Sequence, residues 1–178
     1  MDRLFTQPAS AATGAAAQLF AAIQGAIGKV PNAYLALGNN SPVALEAALN
    51  LDGALKKSSL SAKDVEVIKL AVSETAGCDY CIAAHTMIGG MAGLSADAMR
   101  AARAGTSSGD MRADALSTLV HTLVTSKGTV PAAAITAVKA AGVSDAQLAD
   151  ITLAIAAITL TNLFNRINDT TLDFPALA

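Results

Sequence analysis

The sequence predicts an all-α protein, and three observations carry that prediction. Alanine, the strongest helix former, dominates the apolar residues. Helix-start and helix-stop signals recur along the whole chain. Alternating β-branched runs bounded by hairpin turns are absent from the sequence.

The punctuation places helices near 9–27, 32–39, 42–56, 62–76, 79–92, 96–104, 110–127, 131–141 and 145–167. The first is Ala-rich, and from Ala11 to Ile27 it is apolar on more than one face. Ser41-Pro42 puts a capping residue before proline at a first helical position. Ser61-Ala62-Lys63-Asp64 resembles a capping box, with aspartate in the glutamate position. Gly77 breaks that helix and Gly93 ends the next, after which Leu94-Ser95 opens another. Gly105 and Gly142 read as C′ glycines, and Ser144-Asp145 opens the last long helix.

A weak internal echo accompanies this order. Ser61 to Val72 reads SAKDVEVIKLAV, and Ser144 to Ile155 reads SDAQLADITLAI. Ile68 then matches Ile151, Leu70 matches Leu153 and Ala71 matches Ala154. Two buried, Ser-capped helices would look alike for that reason alone. The other reading is a degenerate internal repeat, with Thr161 and Phe164 where the first copy has Cys78 and Cys81.

Composition excludes several function classes. A chain of 178 residues fits one domain, 1–178, and buries a substantial core. Lys plus Arg number 12 and Asp plus Glu 14, giving −2, and no basic cluster offers a nucleic-acid footprint. A 53% hydrophobic content and a mean hydropathy of +0.47 exclude disorder. Charged residues are 15%, against roughly 25% in an average soluble protein. So few charges leave apolar helix faces uncovered, which predicts a homo-oligomer. The best candidate for a membrane span, Ile151 to Phe164, is shorter than the ~20 residues a span needs. It also carries Thr152, Thr159, Thr161 and Asn162, so it reads as a core helix. The N-terminus lacks an apolar run after Asp2 and Arg3, which argues against a signal peptide. Two cysteines three residues apart are no secreted disulfide framework. The expectation is a cytoplasmic protein with neither membrane nor nucleic-acid partner.

The chemistry is concentrated between Glu74 and His85, ETAGCDYCIAAH. Cys78 falls at or near a helix start. At ~100° per residue Cys81 lies one turn on, and His85 one turn beyond that. A helix N-terminus stabilises a thiolate, the reactive form of cysteine. The i,i+3 spacing lets the two sulfurs join without unfolding the helix, and a histidine at i+4 can take a thiol proton. One cysteine attacks, the other resolves, and an external reductant resets the pair. By thioredoxin logic the attacking residue is Cys78, and proximity in sequence nominates Glu74 as the carboxylate partner. Competing readings are weaker. Only His85 and His121 could complete a zinc site, and no second CxxC exists. Haem attachment needs histidine directly after the second cysteine, where Ile82 stands. Two inert buried cysteines would not need a histidine in register.

This segment resembles the AhpD-like members of the carboxymuconolactone decarboxylase superfamily, which are all-helical alkylhydroperoxidase-type proteins. Their motif is Glu, eleven residues, then Cys-x-x-Cys-x-x-x-His, and Glu66, Cys78, Cys81 and His85 match every position. LSAKDVEVIKLAVSETAGCDYCIAAH is similar throughout. Weaker similarity extends forward from Pro31-Asn32 and through Asn165-Arg166-Ile167-Asn168. The resemblance implies a compact AhpD-like helical domain with its redox motif at 66–85. It implies a thiol-dependent peroxidase needing no metal, haem or flavin. Cys81 would be the peroxidatic thiol, Cys78 the resolving one, His85 the proton acceptor, and Glu66 its orienting or relaying partner. A lipoyl-bearing or thioredoxin-like protein would be the reductant, and the assembly a trimer or hexamer. Some AhpD proteins carry a second histidine between the cysteines; here that position is Tyr80, a hydrogen-bond donor but a poor base near neutral pH. Two other classes stay open: a decarboxylase or lactone-processing enzyme of the superfamily, and a non-catalytic thiol–disulfide sensor.

Three further sites are read plainly. His121 reads as a hydrogen-bonded interior or interface histidine. Met87 and Met91, one turn apart, are expected to pack. Asn165, Arg166, Asn168 and Asp169 form a polar end to an apolar helix, suited to a pocket or a subunit contact.

Overall fold

A computed structural model describes residues 2–174. Among them the chain is all-helical, with α1 Gly14–Ile27, α2 Asn32–Asn40, α3 Pro42–Leu55, α4 Ala62–Ala76, α5 Asp79–Met91, α6 Ala96–Ala104, α7 Met111–Thr125, α8 Ala132–Ala140 and α9 Asp145–Asn168. No strand occurs among the described residues.

Helix α4 is the axis of the fold. It packs against α5, α6, α7 and α9. With neighbours all around, it buries every residue from Glu66 to Ser73, polar ones included. A helix enclosed in this way needs no solvent face, which is why its pattern lacks a clean apolar stripe. One core joins Val67, Ile68 and Ala71 of α4 to Leu116, Leu119 and Val120 of α7 and Ile151, Ala154 and Ile158 of α9. A second gathers Phe20 and Ile23 of α1, Leu37 of α2 and Leu45 of α3.

The helix starts follow the sequence signals. Ser41 Oγ accepts from the Ala44 amide at 3.2 Å. At α4, Ser61 Oγ accepts from Asp64 N, and Asp64 Oδ2 accepts from Ser61 N, both at 3.1 Å. This reciprocal cap contributes about 1 kcal/mol. Asp64 also takes two 3.0 Å bonds from Arg112, which tie α7 to the start of α4. Burial alone would raise its carboxyl pKa, but the bonds from Arg112 and Ser61 outweigh burial and hold it below the usual range.

One expectation changes. The segment near 9–27 is not one helix. Ala9–Ala11 form a single 3-10 turn, Ala12 and Thr13 are extended, and α1 begins only at Gly14. Alanine content does not register that break. The last helix, in contrast, is longer than the apolar run inside it. Spanning 24 residues, α9 is long and apolar enough to cross a membrane by length and composition. It packs instead against α4 and α3, and it buries the amides Asn162, Asn165 and Asn168 beside its apolar residues.

The echo between α4 and α9 has a limit. Both start with a serine in a capping box, Ser144 pairing with Gln147 in α9. Gly77 stops α4. The corresponding position in α9 is Leu160, and the helix runs on through it. Where the first segment makes helix, turn and helix, the second makes one rod.

Candidate active site

Gly77 creates the site. It sits in the left-handed region at φ 63° and ψ 42°, a conformation glycine adopts without steric cost. Its N–H reaches Glu74 O and the Cys78 N–H reaches Ser73 O, both at 3.0 Å, closing the end of α4. The chain then folds α5 back along α4. Cys78 is the N-cap of α5, and its Sγ accepts from the Cys81 amide at 3.3 Å. Cys78 and Cys81 are joined as a disulfide across 5.4 Å between Cα atoms. Both are buried, at 2% and 3% exposure.

The hairpin brings Glu66 and His85 together. His85 Nδ1 lies 2.8 Å from Glu66 Oε2, and both side chains are nearly enclosed. A carboxylate accepts, so Nδ1 carries the proton and the Nε2 lone pair is left free to act as a base. Glu74, the carboxylate nearer in sequence, points elsewhere. Its Oε2 accepts from Arg103 Nε of α6 at 2.6 Å, at the half-exposed edge of the bundle. Eight helical residues separate Glu66 from Glu74, which turns them about 80° apart around α4.

Cys81, His85 and Glu66 share a cavity of about 790 Å³. Cys78 is not among the described residues that line it. Much of the wall is apolar, with Ile27 of α1, Leu49 of α3, Ile88 of α5 and Ile158 of α9. The wall also carries a polar group in which Lys69 Nζ meets Asp52 Oδ1 at 2.8 Å and Tyr34 OH donates to Asp52 Oδ2 at 3.1 Å. Burial and the Asp52 charge push the Tyr34 hydroxyl up, so it stays a neutral donor. Met87 and Met91 also line this cavity. They do not pack in the core as expected: they are 38% and 81% exposed. Helix α5 buries Tyr80 to Ala84, and beyond that only Gly89, so the methionines stand where the helix has left the core.

Tyr80 closes one end. Its hydroxyl donates to Asp173 Oδ1 at 2.7 Å and accepts from the Ala33 amide at 3.1 Å. Burial first, then the Asp173 carboxylate, raise its pKa well above the ordinary value. A tyrosine so held moves no proton near neutral pH; it anchors the C-terminal tail instead. Asp173 also takes Lys29 Nζ at 3.1 Å, and Phe174 lies edge-on to Tyr80 with centroids 5.4 Å apart. The tail, α1 and the segment before α2 therefore form part of the wall, and nothing in the Cys-x-x-Cys segment announces that.

The polar end of α9 is the part that sequence reasoning underused. Asn165 Nδ2 lies 3.3 Å from Cys81 Sγ. Asn165, Asn168 and Thr170 form a buried chain of hydrogen bonds behind the sulfur. Arg166 and Asp169 stay outside it, Asp169 pairing with Arg3 at 3.6 Å. The signal was a polar run interrupting an apolar helix, without a hint of its target.

His121 is hydrogen-bonded, as read from sequence. Nε2 faces the Ala102 carbonyl and Nδ1 faces Thr75 Oγ1, both at 3.2 Å. No His, Cys, Asp and Glu group among the described residues could hold a metal ion.

Comparison with known proteins places this geometry. Residues 42–119 match the carboxymuconolactone decarboxylase family model. That segment holds Glu66, Cys78, Cys81 and His85. No curated protein matches the chain. Among solved structures, the AhpD core of a peroxidase-related protein from Ralstonia eutropha superposes with a TM-score of 0.85 at 21% identity, over 97% of this chain and 92% of that one. A protein of unknown function from Agrobacterium tumefaciens gives 0.70 at 24% identity, over 77% and 95%. The debrominase Bmp8 gives 0.77 at 19% identity, over 96% and 92%. Residues 42–119 thus match the carboxymuconolactone decarboxylase family model, within a chain that carries the AhpD-like fold over nearly its whole length.

Proposed function

We propose that the protein is a thiol-dependent peroxidase that reduces organic hydroperoxides. The observation that carries this reading is the meeting of Cys81, His85 and Glu66 in one cavity, with Cys78 bonded behind Cys81. In the reduced protein, His85 Nε2 takes the Cys81 proton. The thiolate attacks the terminal peroxide oxygen and the O–O bond breaks. Cys81 becomes a sulfenic acid, and the leaving alkoxide takes a proton from His85 to depart as the alcohol. The Cys78 thiolate then attacks Cys81 Sγ, releasing the oxygen as water once protonated and forming the disulfide. A dithiol restores both cysteines by exchange. The apolar wall favours hydroperoxides with a hydrocarbon body over hydrogen peroxide.

The reductant would be a protein carrying a lipoyl group or a thioredoxin-like site. The first is favoured by the burial of the disulfide, which a slender arm reaches more easily than a folded surface. Self-association belongs to the same reading. Leu163 and Ile167 of α9 are 53% and 61% exposed on one helix face. Light scattering at micromolar concentration should give a multiple of 17.8 kDa, and a concentration-independent monomer would refute it.

The test is turnover. With dihydrolipoamide as reductant, cumene hydroperoxide should be consumed catalytically, and the oxidised protein should be two hydrogens lighter. A single stoichiometric oxidation without turnover would favour a redox sensor. A second reading shares the thiols. The cavity is roomy and apolar enough for a small ring, and a solved Bmp8 structure holds 2,3,4-tribromopyrrole. Reductive dehalogenation would form the same disulfide while releasing halide, so halide release from a bromopyrrole separates the two activities.

A further inference from the structure

We propose that Asn165 is a catalytic residue: its side-chain amide donates to Cys81 Sγ and holds that sulfur as a thiolate. The inference rests on the reading of Cys81 as the attacking thiol and adds a group outside the Glu66–His85 pair.

An asparagine amide can face either way, so its orientation has to follow from its partners. Here a backbone group decides it. The Leu4 N–H can only donate, and it meets Asn168 Oδ1 at 2.9 Å. The opposite end of that amide, Asn168 Nδ2, therefore donates to Thr170 Oγ1 at 3.0 Å. The Thr170 hydroxyl still has its single hydrogen to place, and it donates it to Asn165 Oδ1 at 2.8 Å. That leaves Asn165 Nδ2 turned to Cys81 Sγ at 3.3 Å. Asn165, Asn168 and Thr170 are all buried. The backbone locks the chain in place, with Arg3 N on Asn168 O at 2.8 Å and Thr170 N on Asn165 O at 3.2 Å.

A sulfur in a disulfide is a weak acceptor, and a thiolate is a strong one. A donor fixed at this position therefore gains most when Cys81 is reduced and ionised. It makes Cys81 a more acidic thiol than it would be without the amide. It also makes Cys81 a better leaving group when a dithiol attacks Cys78 Sγ: the new sulfur–sulfur bond forms at Cys78, and Cys81 departs as thiolate. The amide thus works in both halves of the cycle.

The experiment isolates Cys81 in a Cys78→Ser background and follows the pH dependence of its alkylation by iodoacetamide, alongside thiolate absorbance near 240 nm. Asn165→Leu should raise the alkylation midpoint by about one pH unit, the usual worth of a hydrogen bond to a charged group. Thr170→Val, which leaves Asn165 in place but frees its amide to turn, should raise it by a smaller amount. Circular dichroism checks the fold of each variant. Should Asn165→Leu fail to fold, Thr170→Val decides alone. An unchanged midpoint in the folded variants overturns the proposal, whatever the peroxide activity. A raised midpoint in a protein that consumes no hydroperoxide keeps the donor's role on the sulfur and removes the peroxidase reading.

Discussion

Replacing Cys81 by serine should reduce hydroperoxide consumption to the uncatalysed background, whereas Cys78→Ser should retain one turnover per chain. Two features of the site make this division. Cys81 faces the cavity with Glu66 and His85, and Cys78 does not line it. Cys78 instead caps α5, its sulfur accepting from the Cys81 amide. Serine is a better N-cap than cysteine, which offsets part of what Cys78→Ser loses with the disulfide. In Cys81→Ser the new hydroxyl can still accept from Asn165, so no buried donor is orphaned. Both variants should therefore fold, and their activities report chemistry. In Cys78→Ser the sulfenic acid should accumulate on Cys81 and be trapped by dimedone as a mass adduct. An adduct found instead on Cys78 of the Cys81→Ser protein would reverse the assignment. It would restore the thioredoxin-like order that bottom-up reading of the spacing allows.

The parts of this site legible in sequence are those fixed by local chemistry. Gly77, the serine caps of α4 and α9, and the spacing of Cys78, Cys81 and His85 depend on residues within a turn or two of one another. They fold as their spacing says. The choice between Glu66 and Glu74 needed the packing of α5 on α4 and of α6 beside both, because Arg103 claims Glu74. Asn165 lies 84 positions from Cys81, and its orientation is set by Leu4 at the far end of the chain. Such a contact leaves no periodic trace. Met87 and Met91 misled for a related reason. Their i,i+4 spacing is that of a packed pair, but α5 projects past the core at that point, so spacing alone could not tell a rim from an interior. The break at Ala12 and Thr13 was hidden by composition, since alanine propensity says nothing about a chain that must turn before α1.

His85→Gln should slow the oxidation of reduced protein by ~10²–10⁴ near neutral pH, the usual worth of general acid–base help. The geometry ties the loss to one nitrogen. Glu66 holds Nδ1–H, so Nε2 is the only ring position left to accept a proton and return it to the alkoxide. Glutamine can keep a hydrogen bond to Glu66 but offers no base. Glu66→Gln should lower the rate in the same direction by a smaller factor. Its amide oxygen can still accept from Nδ1 and keep the tautomer, but the negative charge that stabilises the imidazolium is gone. Glu74→Gln supplies the contrast. It loses only a half-exposed pair with Arg103, worth about 0–1 kcal/mol of stability, and should leave the rate unchanged. Stopped-flow loss of thiol against cumene hydroperoxide concentration measures all three. The pH profile adds a second reading: with His85→Gln, the rate should rise with pH toward that of the parent protein, because at high pH Cys81 ionises without a base. Parent-like rates in both His85→Gln and Glu66→Gln would take the pair out of the mechanism. A larger loss with Glu74→Gln would show that the carboxylate nearer in sequence, not the one nearer in space, serves the histidine.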